Sequence, residues 1–307
     1  MNNFAKTIVT MAKNQHALNT SISGTEWLLG QTSFGKAVNW NRTMYLEAAE
    51  LIESYPYKHW KNLDVEADFI NIGIETADLF HFSLSEGLFV LFWESLKFDI
   101  PGMSTCHKIS NKEIDFVRNK FKKDPADDFM DGDILEAWLE DRVYSQLARV
   151  SGDIYDSIDN VPISTEGVDK NDTLNIKLDY FEKFLSLAVK HSRSSSMDSV
   201  EHPNRIIPSF NKKDSSLSRY KKLLASFTVL HMKVEPVDLI NIYNAKSVLN
   251  YFRQDHGYKD NTYSKEWKFR GKKLEDNYIL MIILSELDTF DKEVLYERLE
   301  TYYKDAK

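Results

Sequence analysis

MYLEAAELIES (residues 44–54) and INIGIETADLFHFSLS (residues 70–85) decide the reading of this chain. Each carries two acids at i, i+3 spacing, Glu47 with Glu50 and Glu75 with Asp78. Residues three apart share one face of a helix, so each pair aims its carboxylates at one spot. Met44, Leu46, Ala48, Ala49, Leu51 and Ile52 surround the first pair; Ile72, Ile74, Ala77, Leu79, Phe80 and Phe82 surround the second. A helix that is apolar nearly all round is a buried helix, and its few acids then lie inside the protein or on a cleft wall. A buried carboxylate neutralises or finds a cation. Four of them on two helices predict a shared site for hard divalent ions, which take oxygen ligands. The competing reading is two solvated or salt-bridged acid pairs.

Around that centre the composition is permissive. Hydrophobic residues make up 42% of the 307 residues, enough for a substantial core. Eleven Gly and seven Pro are too few for a turn-dense β protein. A net charge of -8 argues against non-specific binding to nucleic acid or to an anionic membrane. The one cysteine, Cys106, cannot form an intramolecular disulfide and has no basic cluster beside it, which fits a structural thiol in a reducing cytoplasm. The first 19 residues lack a long apolar core, and no run approaches 18 apolar residues, so neither a signal peptide nor a membrane span is predicted.

Working outward, helices are predicted at 3–19, 36–54, 65–97, 111–122, 131–150, 173–192, 217–232, 236–254, 275–288 and 291–305. The Ser-rich segment 191–216 reads as an exposed excursion. No strand alternation stands out, and the fold class is all-α. The helix ending at 254 carries Lys246, Asn250 and Arg253 at i, i+4, i+7, which puts two cations and an amide on one face. The loop HGYKDNTYSKEW (256–267) follows, with Lys265 and Tyr263, and a basic helix end beside a basic loop suits phosphate groups. Gln15 and Asn19, at i, i+4, are amides of the kind that read a base edge, although such a pair is also ordinary surface.

NWNRTMYLEAAELIESYPYKHWKN, INIGIETADLFHFSLS, AKSVLNYFRQDHGYKDNTYSKEW and GKKLEDN, in that order, resemble the motifs of the dimeric all-α dUTPases, in the all-α NTP pyrophosphatase superfamily. The resemblance covers roughly residues 10–85 and 220–300. It implies a multi-helix bundle forming one catalytic domain over 1–307, with motif-bearing parts at 1–98 and 217–307 and an enlarged insertion at about 100–216. It implies Mg2+ ligation, two or three ions per site with Mn2+ as a substitute, by Glu47, Glu50, Glu75 and Asp78. It implies phosphate binding by Lys246, Asn250, Arg253 and Lys265, and nucleoside binding by Gln15, Asn19, Trp27, His81, Phe82 and Tyr263. It also implies a homodimer. Two departures stand out. Ala245 replaces the glycine the family places before its lysine, and extra residues separate Trp267 from Glu275, leaving the placement of Glu275, Asp276 and Asn277 open.

The implied reaction is hydrolysis of dUTP, and of dUDP, to dUMP by water attack at the α-phosphate, with Glu47 or Glu50 as the base. A related pyrophosphatase of another nucleotide, such as dCTP, is the alternative. A di-iron bundle is disfavoured because neither acid pair is a Glu-x-x-His motif.

Overall fold

The computed structural model describes residues 3–32, 35–58, 66–97, 99–100, 111–126, 130–158 and 238–306, with scattered helical positions at 178–179, 182, 220–221 and 224–225. The helices expected at 173–192 and 217–232, the 191–216 segment, His59, Trp60 and Cys106 lie wholly or largely outside these residues. The described chain is mostly helical, as expected: α1 (Asn3–Ser23), a short 3-10 turn (Thr25–Leu29), α2 (Trp40–Glu53), α3 (Phe69–Leu96), α4 (Asn111–Lys120), α5 (Gly132–Leu139), a π turn (Glu140–Tyr144) leading into α6 (Ser145–Ile158), α7 (Leu239–Asp255), α8 (Asp276–Ser285) and α9 (Lys292–Ala306).

Helix starts are set by caps. Asn39 Oδ1 accepts from the Arg42 N–H at 3.0 Å, so α2 begins at Trp40 and not at Lys36. Asp68 does the same for Asn71 at 3.0 Å, which starts α3 at Phe69 rather than Val65. Asp238 caps α7, three residues short of the expected start.

One expectation is corrected: the chain does contain strands. Glu266–Phe269 (β1) and Lys272–Glu275 (β2) form an antiparallel hairpin with Trp267 opposite Leu274 and Phe269 opposite Lys272. Its two-residue turn, Arg270–Gly271, has positive φ at both positions, 49° and 81°. That is the backbone a tight hairpin needs to match strand twist. The additional residues between Trp267 and Glu275 are this hairpin.

The described residues divide into two compact units, Met1–Leu46 with Phe82–Glu235, and Glu47–His81 with Pro236–Lys307. In the first, α1 packs on α6, and Trp138 meets Phe92 and Phe121 edge-to-face at 5.5 and 5.4 Å. In the second, α7, the hairpin, α8 and α9 share one apolar core built on Leu249, Phe252, Trp267, Ile279, Leu299 and Tyr303. Trp267 and Phe269 face into it while Glu266 and Lys268 point out, the period-two pattern of a half-buried strand. No described helix is long and apolar enough to cross a membrane.

Candidate active site

The second unit holds the acids. Glu47 projects from α2; Glu75 and Asp78 project from α3, one turn apart. One carboxylate oxygen of each lies within 4.8 Å of the other two. Glu75 is 5% exposed, because Ile72, Ile74, Ala77, Leu79 and Phe80 bury this part of α3. Glu50, on the next turn of α2, is exposed and lies outside the group of three, although its charge still acts on Glu47 and Glu75. Burial, then the Asp78 carboxylate, pushes Glu47 up to about 7. The same two causes, with Glu47 added, push Glu75 up to about 9. Both shifts favour the protonated form in the metal-free protein, where Glu75 and Glu47 are hydrogen-bonded to each other.

These residues fit a hard divalent ion. Oxygens bound to one Mg2+ at about 2.1 Å sit roughly 3–4.2 Å apart, within small side-chain movements of the observed group. Glu75 Oε2 is buried with no hydrogen-bond partner among the described residues, as an oxygen reserved for a cation would be.

Beside the acids lies a cationic network that Asp276 and Asn277 complete. Lys246 is 1% exposed. Its Nζ contacts Asp78 at 2.9 Å and donates to Asn277 Oδ1 at 2.9 Å. Arg253, two turns along α7, donates to both oxygens of Asp276 at 2.8 Å and to Asn277 at 3.1 Å. Tyr263 donates to Asp276 Oδ2 at 2.8 Å and stacks on Tyr303. Burial and the Asp276 charge raise the Tyr263 pKa, so it remains a donor. Asp276 and Asn277 carried no assigned role in the sequence because their distance from Trp267 was unclear. The hairpin folds that extra length outward. The Asp276 N–H donates to the Lys265 carbonyl at 2.7 Å, which closes the hairpin base and sets both residues in the first turn of α8.

Asn250 is half-buried on α7 between Lys246 and Arg253. Lys265 is exposed, its Nζ 5.8 Å over the Tyr258 ring. His81 is enclosed, stacked on Tyr243 at 4.1 Å, and burial lowers it to about 4, so it is neutral at physiological pH. The other nucleoside candidates belong to the first unit. Gln15 Nε2 donates to Asn19 Oδ1 at 2.9 Å, and Asn19 Nδ2 donates to Ser85 Oγ at 2.9 Å. Both amides are buried, so they are not plain surface. Trp27 is fully enclosed against His16 and Trp40, and Phe82 stacks on Trp40 at 6.0 Å.

The described residues of this helical protein gather three acids that could hold a divalent ion beside a buried lysine and arginine, groups suited to phosphate oxygens. The model of the dUTPase family matches residues 7–131. The match includes Glu47, Glu50, Glu75 and Asp78 and stops short of α7, the hairpin and α8. Comparison with curated proteins finds no match.

Proposed function

We propose that the protein hydrolyses dUTP, and dUDP, to dUMP by attack of water on the α-phosphorus. The observation that carries this reading is the buried Glu75 with its unpartnered oxygen, within 4.8 Å of Glu47 and Asp78 oxygens. A triphosphate brings about four negative charges to a site that already holds several, and only cations between them make the complex stable. Glu47, Glu75 and Asp78 would hold Mg2+, which would supply that charge and lower the pKa of a bound water. Glu47 or Glu50 would hold the attacking water and take its proton. The water oxygen bonds to the α-phosphorus, the bond from that phosphorus to the bridging oxygen breaks, and pyrophosphate leaves from dUTP or phosphate from dUDP. Lys246, Arg253 and Lys265 stabilise the charge on the leaving group, and Asn250 adds a neutral donor beside them.

Asp276 acts through Arg253, fixing the guanidinium by two parallel hydrogen bonds. For base selection the proposal assigns Gln15 and Asn19, side-chain amides that can present donor and acceptor to uracil, a pattern that cytosine inverts. A homodimer belongs to the same reading, supported by the large apolar side chains left exposed on α2 and α3, Tyr45, Leu46 and Phe69.

The test is kcat/KM for dUTP, dUDP, dCTP and dTTP at one Mg2+ concentration, with light scattering on the same sample. The expected result is turnover of dUTP and dUDP, at least 100-fold preference over dCTP, and a dimer mass. Comparable rates on dCTP overturn the base-reading roles, no turnover with Mg2+ overturns the function, and an active monomer overturns the dimer.

A further inference from the structure

The first unit contains a cavity that the phosphate chemistry does not use. It has a volume of about 520 Å³ and lies between the end of α3 and a face of the π turn and α6. Glu94, Ser95 and Lys97 form one wall; Arg142, Gln146 and Arg149 form the other. The second set recurs at i, i+4, i+7, which lines one helical face with two guanidinium groups and an amide. None of the lining residues belongs to the acid cluster or its cationic network.

Three features describe what would fill it. The first is charge: three cations face one carboxylate. Among the described residues Arg149 has no carboxylate partner, and Arg142 pairs with its exposed neighbour Asp141 at 2.8 Å, a pair a stronger anion displaces. Guanidinium groups offer forked donors that match phosphate oxygens. The second is Glu94. Its side chain is 5% exposed and Oε2 accepts from Lys97 at 2.7 Å, while Oε1 is buried with no hydrogen-bond partner among the described residues. A half-satisfied carboxylate in a cavity wall is the complement of a ligand hydroxyl. The third is what the wall omits. Among the described residues the wall carries no aromatic ring on which a base stacks.

We propose that this cavity binds a small hydroxylated phosphate ester of the sugar-phosphate class. The phosphate lies against Arg142 and Arg149, and a hydroxyl donates to Glu94 Oε1. The volume suits such a molecule, and the absence of a stacking surface sets it apart from a nucleotide.

The experiment is isothermal titration calorimetry on the full-length protein with three probes: ribose 5-phosphate, inorganic phosphate and ribose. Saturable binding of ribose 5-phosphate is expected, at least tenfold tighter than inorganic phosphate, with no binding of ribose. The double variant R142Q/R149Q alters two exposed side chains, so it should fold as the parent does; it should lose both phosphate probes and leave dUTP turnover unchanged. Glu94→Gln should keep inorganic phosphate binding and lose the preference for the sugar ester. Retained binding of ribose 5-phosphate in R142Q/R149Q, or no saturable binding to the parent at millimolar concentration, overturns the site. Equal affinity for phosphate and ribose 5-phosphate overturns the role of Glu94.

Discussion

Replacing Glu75 by glutamine should make the metal-free protein more stable and the enzyme inactive. In the folded chain Glu75 lies near pKa 9, against 4.5 as the unperturbed value. A carboxyl raised on folding stabilises the fold fully below its unfolded pKa, and that stability is lost as pH rises through the folded value. Between pH 4.5 and pH 7.5 the loss accumulates at about 1.4 kcal/mol per pH unit, or about 4 kcal/mol if Glu75 titrates alone. Glu47 shares the proton, so the pair loses this energy jointly and about 2–4 kcal/mol is the expected gain from Glu75→Gln. The amide keeps a donor toward Glu47 and removes the ionisation. For a chain of this size that is a rise of roughly 5–10 °C in Tm. The assay is thermal unfolding in EDTA from pH 5 to pH 8.5, repeated in Mg2+, with dUTP turnover in parallel. Wild type should lose stability with rising pH in EDTA and regain it in Mg2+, since a ligand held at 100 times its Kd adds about 2.7 kcal/mol. The variant should show a flatter profile, little response to Mg2+ and no turnover. A variant less stable than wild type at pH 8 in EDTA, or one that turns over dUTP at near-normal rate, would refute the reasoning.

Other perturbations test other parts of the structure. Glu86, buried and hydrogen-bonded by Asn41, is pushed up to about 7 by burial; its contribution is likewise lost as pH rises from 4.5 through 7, so Glu86→Gln should gain about 2–3 kcal/mol at pH 8 and nothing at pH 4, read by urea unfolding at both pH values. Asp276→Ala strands the Arg253 charge in a buried site and should cost about 3–5 kcal/mol, with part of the loss recovered in Asp276→Ala/Arg253→Met, measured by chemical denaturation. Gly257 has φ of 87°, and a Cβ there would meet Thr262 Oγ1 at 2.0 Å; Gly257→Ala should cost about 1–3 kcal/mol in the same assay.

The helical framework was legible because α2 and α3 carry strong apolar patterning, and their acids stand out against it. The exact starts were less so, since Asn39, Asp68 and Asp238 cap their helices inside stretches whose composition is helical on both sides. Glu50 shares its i, i+3 spacing with Glu47 yet is exposed, because spacing fixes a shared face but not which edge of it meets the core. The hairpin went unseen because its strands are four residues each and its turn is Arg-Gly rather than Asn-Gly. With the hairpin hidden, the roles of Asp276 and Asn277 stayed hidden too, although the residue types that anchor Lys246 and Arg253 were present in the sequence. The enclosure of Trp27 and His81 depends on neighbours distant in sequence, Trp40 and Tyr243, which periodicity does not reveal.

The hairpin also separates length from placement. Its base is closed by the Asp276 N–H on the Lys265 carbonyl, and its tip is an exposed Arg270–Gly271 turn. Side chains along a ribbon alternate every two residues, so adding or removing matched pairs at the tip returns each remaining side chain to its own face. Asp276 then stays where Arg253 meets it. The ribbon is thus a place where the chain can grow or shrink in even steps, or carry an inserted epitope or dye-binding peptide, without disturbing the groups proposed to handle phosphate.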